Sequence, residues 1–120
     1  MSDVLASAIV AAKRGELTTV ELISHIMTHK VLLVGIYQDE LFHPQTISNG
    51  NGSFILVFTS EEARLRLPVA QGTHAVLLDG IQVFKNITGE VGIIFNLGSD
   101  AGFELLPSAV QAIKKGIRSN

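Results

Sequence analysis

Val31-Leu32-Leu33-Val34-Gly35-Ile36-Tyr37 is apolar along its whole length. A run this short, rich in β-branched and aliphatic residues, reads as a strand buried on both faces. Phe54-Ile55-Leu56-Val57-Phe58 repeats the pattern, and Asn49-Gly50-Asn51-Gly52 just before it is the strongest turn signal in the chain. That turn predicts a hairpin joining a short strand at 45–48 to the strand at 54–58. Pro44 would sit at the start of the shorter strand, where a missing N–H is tolerated. Residues 38–44 read as a polar excursion. These paired runs decide that the molecule has a sheet at its centre.

Helices are expected on the N-terminal side. Asp3 can cap a helix running to residue 14, with Gly15 as its stop and Val4, Leu5, Ala8 and Ile9 on one arc. Thr18 followed by Glu21 is a capping-box pattern and opens a second helix to about residue 29. Val20, Leu22, Ile23, Ile26 and Met27 fall on one half of its wheel, and Glu21, Ser24, His25, Thr28 and His29 on the other. Residues 1–30 therefore form a helical hairpin with an apolar face to bury.

Toward the C-terminus, Ser60 caps a short helix with Glu61 and Glu62 in its first turn and Pro68 ending it. A strand follows at 75–78, then a helix capped by Asp79 through residue 87, then a last strand at 91–95. Residues 96–106 link that strand to a helix begun by Pro107, which buries Val110, Ile113 and Ile117 while Lys114, Lys115 and Arg118 face water. The expected fold is α+β (or α/β): a single domain over residues 1–120, with a mixed sheet of about five strands, the helical hairpin and further helices packed on it.

Composition narrows the function. The 120 residues hold 47% hydrophobic and 17% charged residues, nine Lys and Arg against eleven Asp and Glu, and no cysteine. A net charge of −2 argues against nucleic acid or an anionic membrane as partner, since both demand a concentrated basic face. Without cysteine there are no disulfides, thiolate nucleophiles or Cys-ligated metals. The apolar runs are too short to cross a bilayer. Met1-Ser2-Asp3-Val4-Leu5 lacks the basic start and unbroken apolar stretch of a secretory signal, so a cytoplasmic setting is expected. A mean hydropathy of +0.38 is high for a domain this small, and burial against a second copy or another partner would accommodate it.

Val57-Phe58-Thr59-Ser60-Glu61-Glu62 resembles the strand-to-helix turn of the SseB N-terminal domain family. Gly92-Ile93-Ile94-Phe95-Asn96-Leu97-Gly98-Ser99, followed by Gly102-Phe103-Glu104-Leu105-Leu106-Pro107, resembles that family's signature. There a hydrophobic strand ends in Asn-Pro-Gly-Ser, and Gly-x-Glu-Leu-x-Pro leads into the last helix. The similarity runs over residues 54–113. Leu97 stands where the family usually has proline, so that loop loses a stiffening element. Longer members carry an additional C-terminal domain that is not expected here. The resemblance implies a fold and a bacterial cytosolic setting, and it transfers no catalytic residues.

Candidate chemistry is sparse. His25 and His29 are four apart on a helix, the spacing that lets two imidazoles meet one metal, with Glu21 one turn earlier as a third ligand. The plainer reading is a solvated polar face. Ser99-Asp100 lies between Gly98 and Gly102, but a nucleophile elbow needs glycine two positions before and two after its serine, so the spacing fails. The loop reads instead as self-bonded turn residues or as a recognition loop, with Asn96, Ser99, Asp100, Phe103 and Glu104 as the binding candidates. Asn49 to Gly52 lacks the lysine and helix of a phosphate loop. Asp39-Glu40 and Glu61-Glu62 read as a solvated loop and as first-turn helix acids.

The expectation is a non-enzymatic, SseB-like protein-interaction domain without cofactor, binding protein and self-associating as a homo-oligomer. One alternative is an immunity-like protein whose acidic face blocks a partner toxin. Another is a small metal-dependent protein using His25, His29 and Glu21.

Overall fold

Asp3 opens the fold. Its Oδ1 accepts the Ala6 amide at 2.9 Å and caps α1 (Val4–Lys13). Gly15, at φ +80°, turns the chain toward α2 (Thr19–Thr28). The Thr18–Glu21 capping box closes in both directions: the Glu21 amide donates to Thr18 Oγ1 at 3.1 Å, and the Thr18 amide donates to Glu21 Oε1 at 3.0 Å. α2 buries Leu22, Ile23 and Ile26, as its periodicity requires. Val20, expected on the same half, is 76% exposed at the edge of the stripe.

The computed structural model describes residues 3–65 and 73–118 and the side chains of all of these except Arg118. The expected roles of Pro68 and of the Arg118 side chain lie outside the described residues. The remaining elements are β1 (Lys30–Gln38), β2 (Leu41–Pro44), β3 (Thr46–Asn49), β4 (Gly52–Phe58), α3 (Glu61–Leu65), β5 (Thr73–Asp79), α4 (Gly80–Asn86), β6 (Gly92–Phe95), β7 (Phe103–Leu105) and α5 (Pro107–Arg118). The fold is α+β, with five helices on one mixed sheet of seven strands among the described residues. Among the described residues, no helix is long and apolar enough to cross a membrane.

Two strands exceed the sequence expectation. The supposed excursion at 38–44 contains β2, which pairs antiparallel with β1 from Gln38↔Leu41 to Gly35↔Pro44. Its two-residue turn is Asp39-Glu40, both with positive φ (54° and 66°), the backbone signature of a tight hairpin without its usual glycine. Pro44 consequently ends β2 rather than beginning β3. The second addition, β7, is three residues inside the expected 96–106 link and pairs with β6.

The sheet has a fork. β5 pairs with β1 over seven residues, from Lys30↔Asp79 to Ile36↔Thr73. On its other edge β1 pairs with β4 only at Leu32↔Phe58 and Leu33↔Val57. Beyond that point the two strands part, β1 taking β2 and β4 taking β3. The apex of the intervening 41–49 segment is Gln45, whose amide donates to the Val34 carbonyl at 2.9 Å. β4 then runs parallel to β6, from Phe54↔Gly92 to Val57↔Phe95. Gly35 is required at the fork: a Cβ there would lie 2.3 Å from the His43 carbonyl oxygen and 2.7 Å from the Phe42 ring.

Strand alternation divides the apolar side chains. Val31, Leu33, Ile55, Val57, Ile93 and Phe95 meet α1, α2, α4 and α5 on the inner face. Leu32, Val34, Phe54, Leu56, Phe58 and Ile94 form the outer cluster with Ala63 of α3. The double-sided burial expected of residues 31–37 holds through Gly35 and then fails, Ile36 and Tyr37 being 44% and 54% exposed.

Candidate functional site

The loop after β6 is the sequence's best candidate for recognition, and its first polar side chain, Asn96, faces inward. Asn96 is 1% exposed and adopts φ +50°. Its Oδ1 accepts the Thr59 amide at 2.9 Å, and its Nδ2 donates to Thr59 Oγ1 at 3.0 Å and to the Ala101 carbonyl at 3.3 Å. Thr59 Oγ1 donates in turn to Asp3 Oδ2 at 2.6 Å. This chain of contacts ties the start of α1, the ends of the parallel strands β4 and β6, and the loop into one unit. Burial makes the bonds of the Asn96 side chain obligatory, since an unpaired amide group here would lose its water without replacement.

The neighbouring candidates are distributed differently. Ser99 Oγ accepts the Ala101 amide at 3.1 Å, and the Asp100 carbonyl accepts Lys13 Nζ at 3.0 Å. Phe103 packs its ring against Phe95, centroids 6.5 Å apart. Glu104 is exposed and accepts Asn51 Nδ2 at 3.3 Å. Leu97, in the place of the family's proline, packs against the outer cluster, and Gly98 beside it takes φ +81°.

On α2, the His25 and His29 rings stand 6.1 Å apart, and His29 Nδ1 lies 2.7 Å from the His25 carbonyl. That contact makes Nδ1 the protonated nitrogen. The Glu21 carboxylate is engaged in the capping box. The Thr18 backbone amide, then the Thr18 side chain, hold its pKa below the ordinary glutamate value. Among the described residues, no three His, Cys, Asp or Glu side chains gather closely enough to hold a metal ion. Glu61 accepts Arg64 Nε at 2.7 Å, one turn along α3. Asp79 occupies the cap position of α4 without bonding its amides and pairs with Lys30 at 3.2 Å instead. Lys114 donates to the Ile87 carbonyl, which ties α5 to the segment after α4.

Two features escaped the sequence reading. One is the outer edge of β5. Its inner edge is fully paired with β1, and among the described residues no strand pairs with the other. The second is a cleft of about 520 Å³ on the inner face, between β5, the arms of the fork and α4. Leu33, Ile55, Val83 and Ile87 form its floor, while Tyr37, His43, Asn86 and Thr88 are polar residues around it. Its walls come from several separated segments, so no local pattern could announce it. The only hint is the aromatic content of the supposed polar excursion, Phe42 and His43.

The model of the SseB protein N-terminal domain matches residues 5–112, all but four residues at the start and eight at the end. The match extends through the helical hairpin, well upstream of the 54–113 stretch that carries the visible motifs. No curated protein matches the chain, and no solved structure does. The order of elements, the turn at Thr59-Ser60 and the loop from Asn96 to Pro107 thus stand inside one matched unit, and the chain belongs to the SseB N-terminal domain family.

Proposed function

We propose that this domain acts by binding protein rather than by catalysis, and that it binds a second copy of itself along β5. The observation that carries the proposal is the outer edge of that strand, which no strand among the described residues pairs. An unpaired strand edge presents a row of N–H and C=O groups ready to bond another chain. Proteins that avoid such pairing blunt the edge with charge, proline or brevity. β7, the opposite edge strand, is only three residues long. β5 is seven residues long, and from Thr73 to Leu78 it carries no Lys, Arg, Asp, Glu or Pro.

Side chains reinforce the choice. Leu77 is 59% exposed and stands opposite Leu32 on the outer face, where Ile36 is 44% exposed. An antiparallel two-fold pair centred on Val76 sets Leu77 against the partner's Ala75 and Asp79 against the partner's Thr73. Large meets small, and no like charges face each other. The same contact covers apolar surface of the kind the high mean hydropathy led us to expect.

Sedimentation of the wild type and of Leu77→Lys tests this. A dimeric wild type and a monomeric Leu77→Lys protein with unchanged circular dichroism are expected. A monomeric wild type at its highest soluble concentration, or a dimer that survives Leu77→Lys, would overturn the proposal.

A further inference from the structure

We propose that the inner-face cleft is a binding site for an uncharged, largely apolar small molecule with one hydrogen-bonding end. The cleft exists for two structural reasons. β1 and β4 part after two paired residues each, so the arms of the fork open beside Leu33 and Ile55, which are 8% and 4% exposed and line the cleft floor. α4 is seven residues long and ends at Asn86, and its Val83 and Asn86 line the opposite side of the opening. The resulting cavity, about 520 Å³, falls within the range of roughly 300–1,000 Å³ typical of small-molecule sites.

The chemistry of the lining selects the ligand. Among the described residues no Asp, Glu, Lys or Arg lines the cleft, so an ionised ligand would lose its hydration without gaining a counter-charge. The floor is aliphatic and takes a hydrocarbon body. Polar groups stand around it: His43, Thr46, Thr88 and Asn86, whose Nδ2 already donates to the Gln82 carbonyl at 2.9 Å and whose oxygen can accept. At one side Tyr37 meets Phe42 and His74 edge-on, each at a centroid separation of 5.2 Å. These contacts hold the Tyr37 ring at the wall.

The experiment uses a reporter the protein already has. Tyr37 is the single tyrosine and there is no tryptophan, so intrinsic emission comes from the cleft wall. Titration of the unlabelled wild type with 1-octanol should change this emission saturably, with backbone amide shifts concentrated at residues 42–46, 76–78 and 86–91. Octanoate, with the same chain length and an ionised head at neutral pH, should bind at least about tenfold more weakly because its charge finds no partner. Val76→Phe and Val91→Phe enlarge side chains on the cleft walls and should abolish saturation while the folded amide spectrum persists. The proposal is overturned if octanol does not saturate, if the shifts map elsewhere, if octanoate binds equally well, or if binding survives both substitutions. Should either variant fail to fold, the octanol–octanoate comparison and the shift map on the wild type decide.

Discussion

The inner and outer faces of the sheet are built from the same strands and are finished in different ways. Among the described residues, four helices lie on the inner face and eighteen buried residues form its cluster, while the outer cluster has seven and is joined by the five-residue helix α3. Along β1, outward-facing burial declines from Val34 at 1% exposure to Ile36 at 44%, and Leu77 on the neighbouring β5 reaches 59%. The inner face therefore meets its own need for apolar cover except at the cleft. The outer face leaves apolar side chains at the β1–β5 edge, where burial by another molecule would yield about 25 cal/mol for each Å² removed from water. A strand pattern specifies which residues share a face, but the cover over that face depends on elements distant in sequence.

Phe84→Ala gives the largest expected effect and states the contrast most sharply. Phe84, on α4, is fully buried, and its truncation should destabilise the fold by about 3–5 kcal/mol through lost burial and a residual cavity. Leu77→Ala, at the exposed edge, should shift monomer stability by no more than about 0.5 kcal/mol. Urea unfolding at a concentration that keeps the protein monomeric measures both. Comparable losses from the two substitutions would break the distinction between the faces.

Asn96→Ala sharpens the comparison where the faces meet, at the carboxyl ends of β4 and β6. It strands the Thr59 amide and the Ala101 carbonyl and should cost about 1–3 kcal/mol, read from the same urea midpoint. Ser99→Ala removes one turn contact in the same loop and should cost less. Equal costs would mean that Asn96 is no more central than its neighbours.

The smallest effect concerns α2, at the margin of the inner face. Thr18 lowers the folded pKa of Glu21, so the ionised carboxylate stabilises the fold. That contribution is complete above the ordinary glutamate value and disappears as pH falls through the lowered folded value. Glu21→Gln keeps a capping oxygen and removes the titration. The stability difference between wild type and Glu21→Gln should be flat near neutrality and shrink on acidification. A difference that persists unchanged at low pH would remove the carboxylate from the account of this cap.

Local chemistry made much of this fold readable. Asp3, Thr18 and Glu21 act on amides within three residues of themselves, so their roles follow from spacing alone. The Asn49–Gly52 turn is equally local, with Asn49 Oδ1 accepting the Asn51 amide at 2.7 Å. β2 was hidden because Asp39 and Glu40 adopt positive φ without glycine to advertise it. β7 was hidden because three residues carry too little periodicity to detect. Asn96 was legible as a notable polar residue, but its place as a buried hub depends on Thr59, which is 37 positions away.

Order along the chain, the capped helical hairpin, the two-faced strands and the family were all present in the residues, because caps, turns and alternation act over a few positions at a time. The fork between β1 and β4, the cleft behind it and the edge of β5 that no described strand pairs arose only when distant segments packed. Each depends on which strand lies beside which and on how far α4 reaches across them, quantities that no short stretch of residues encodes.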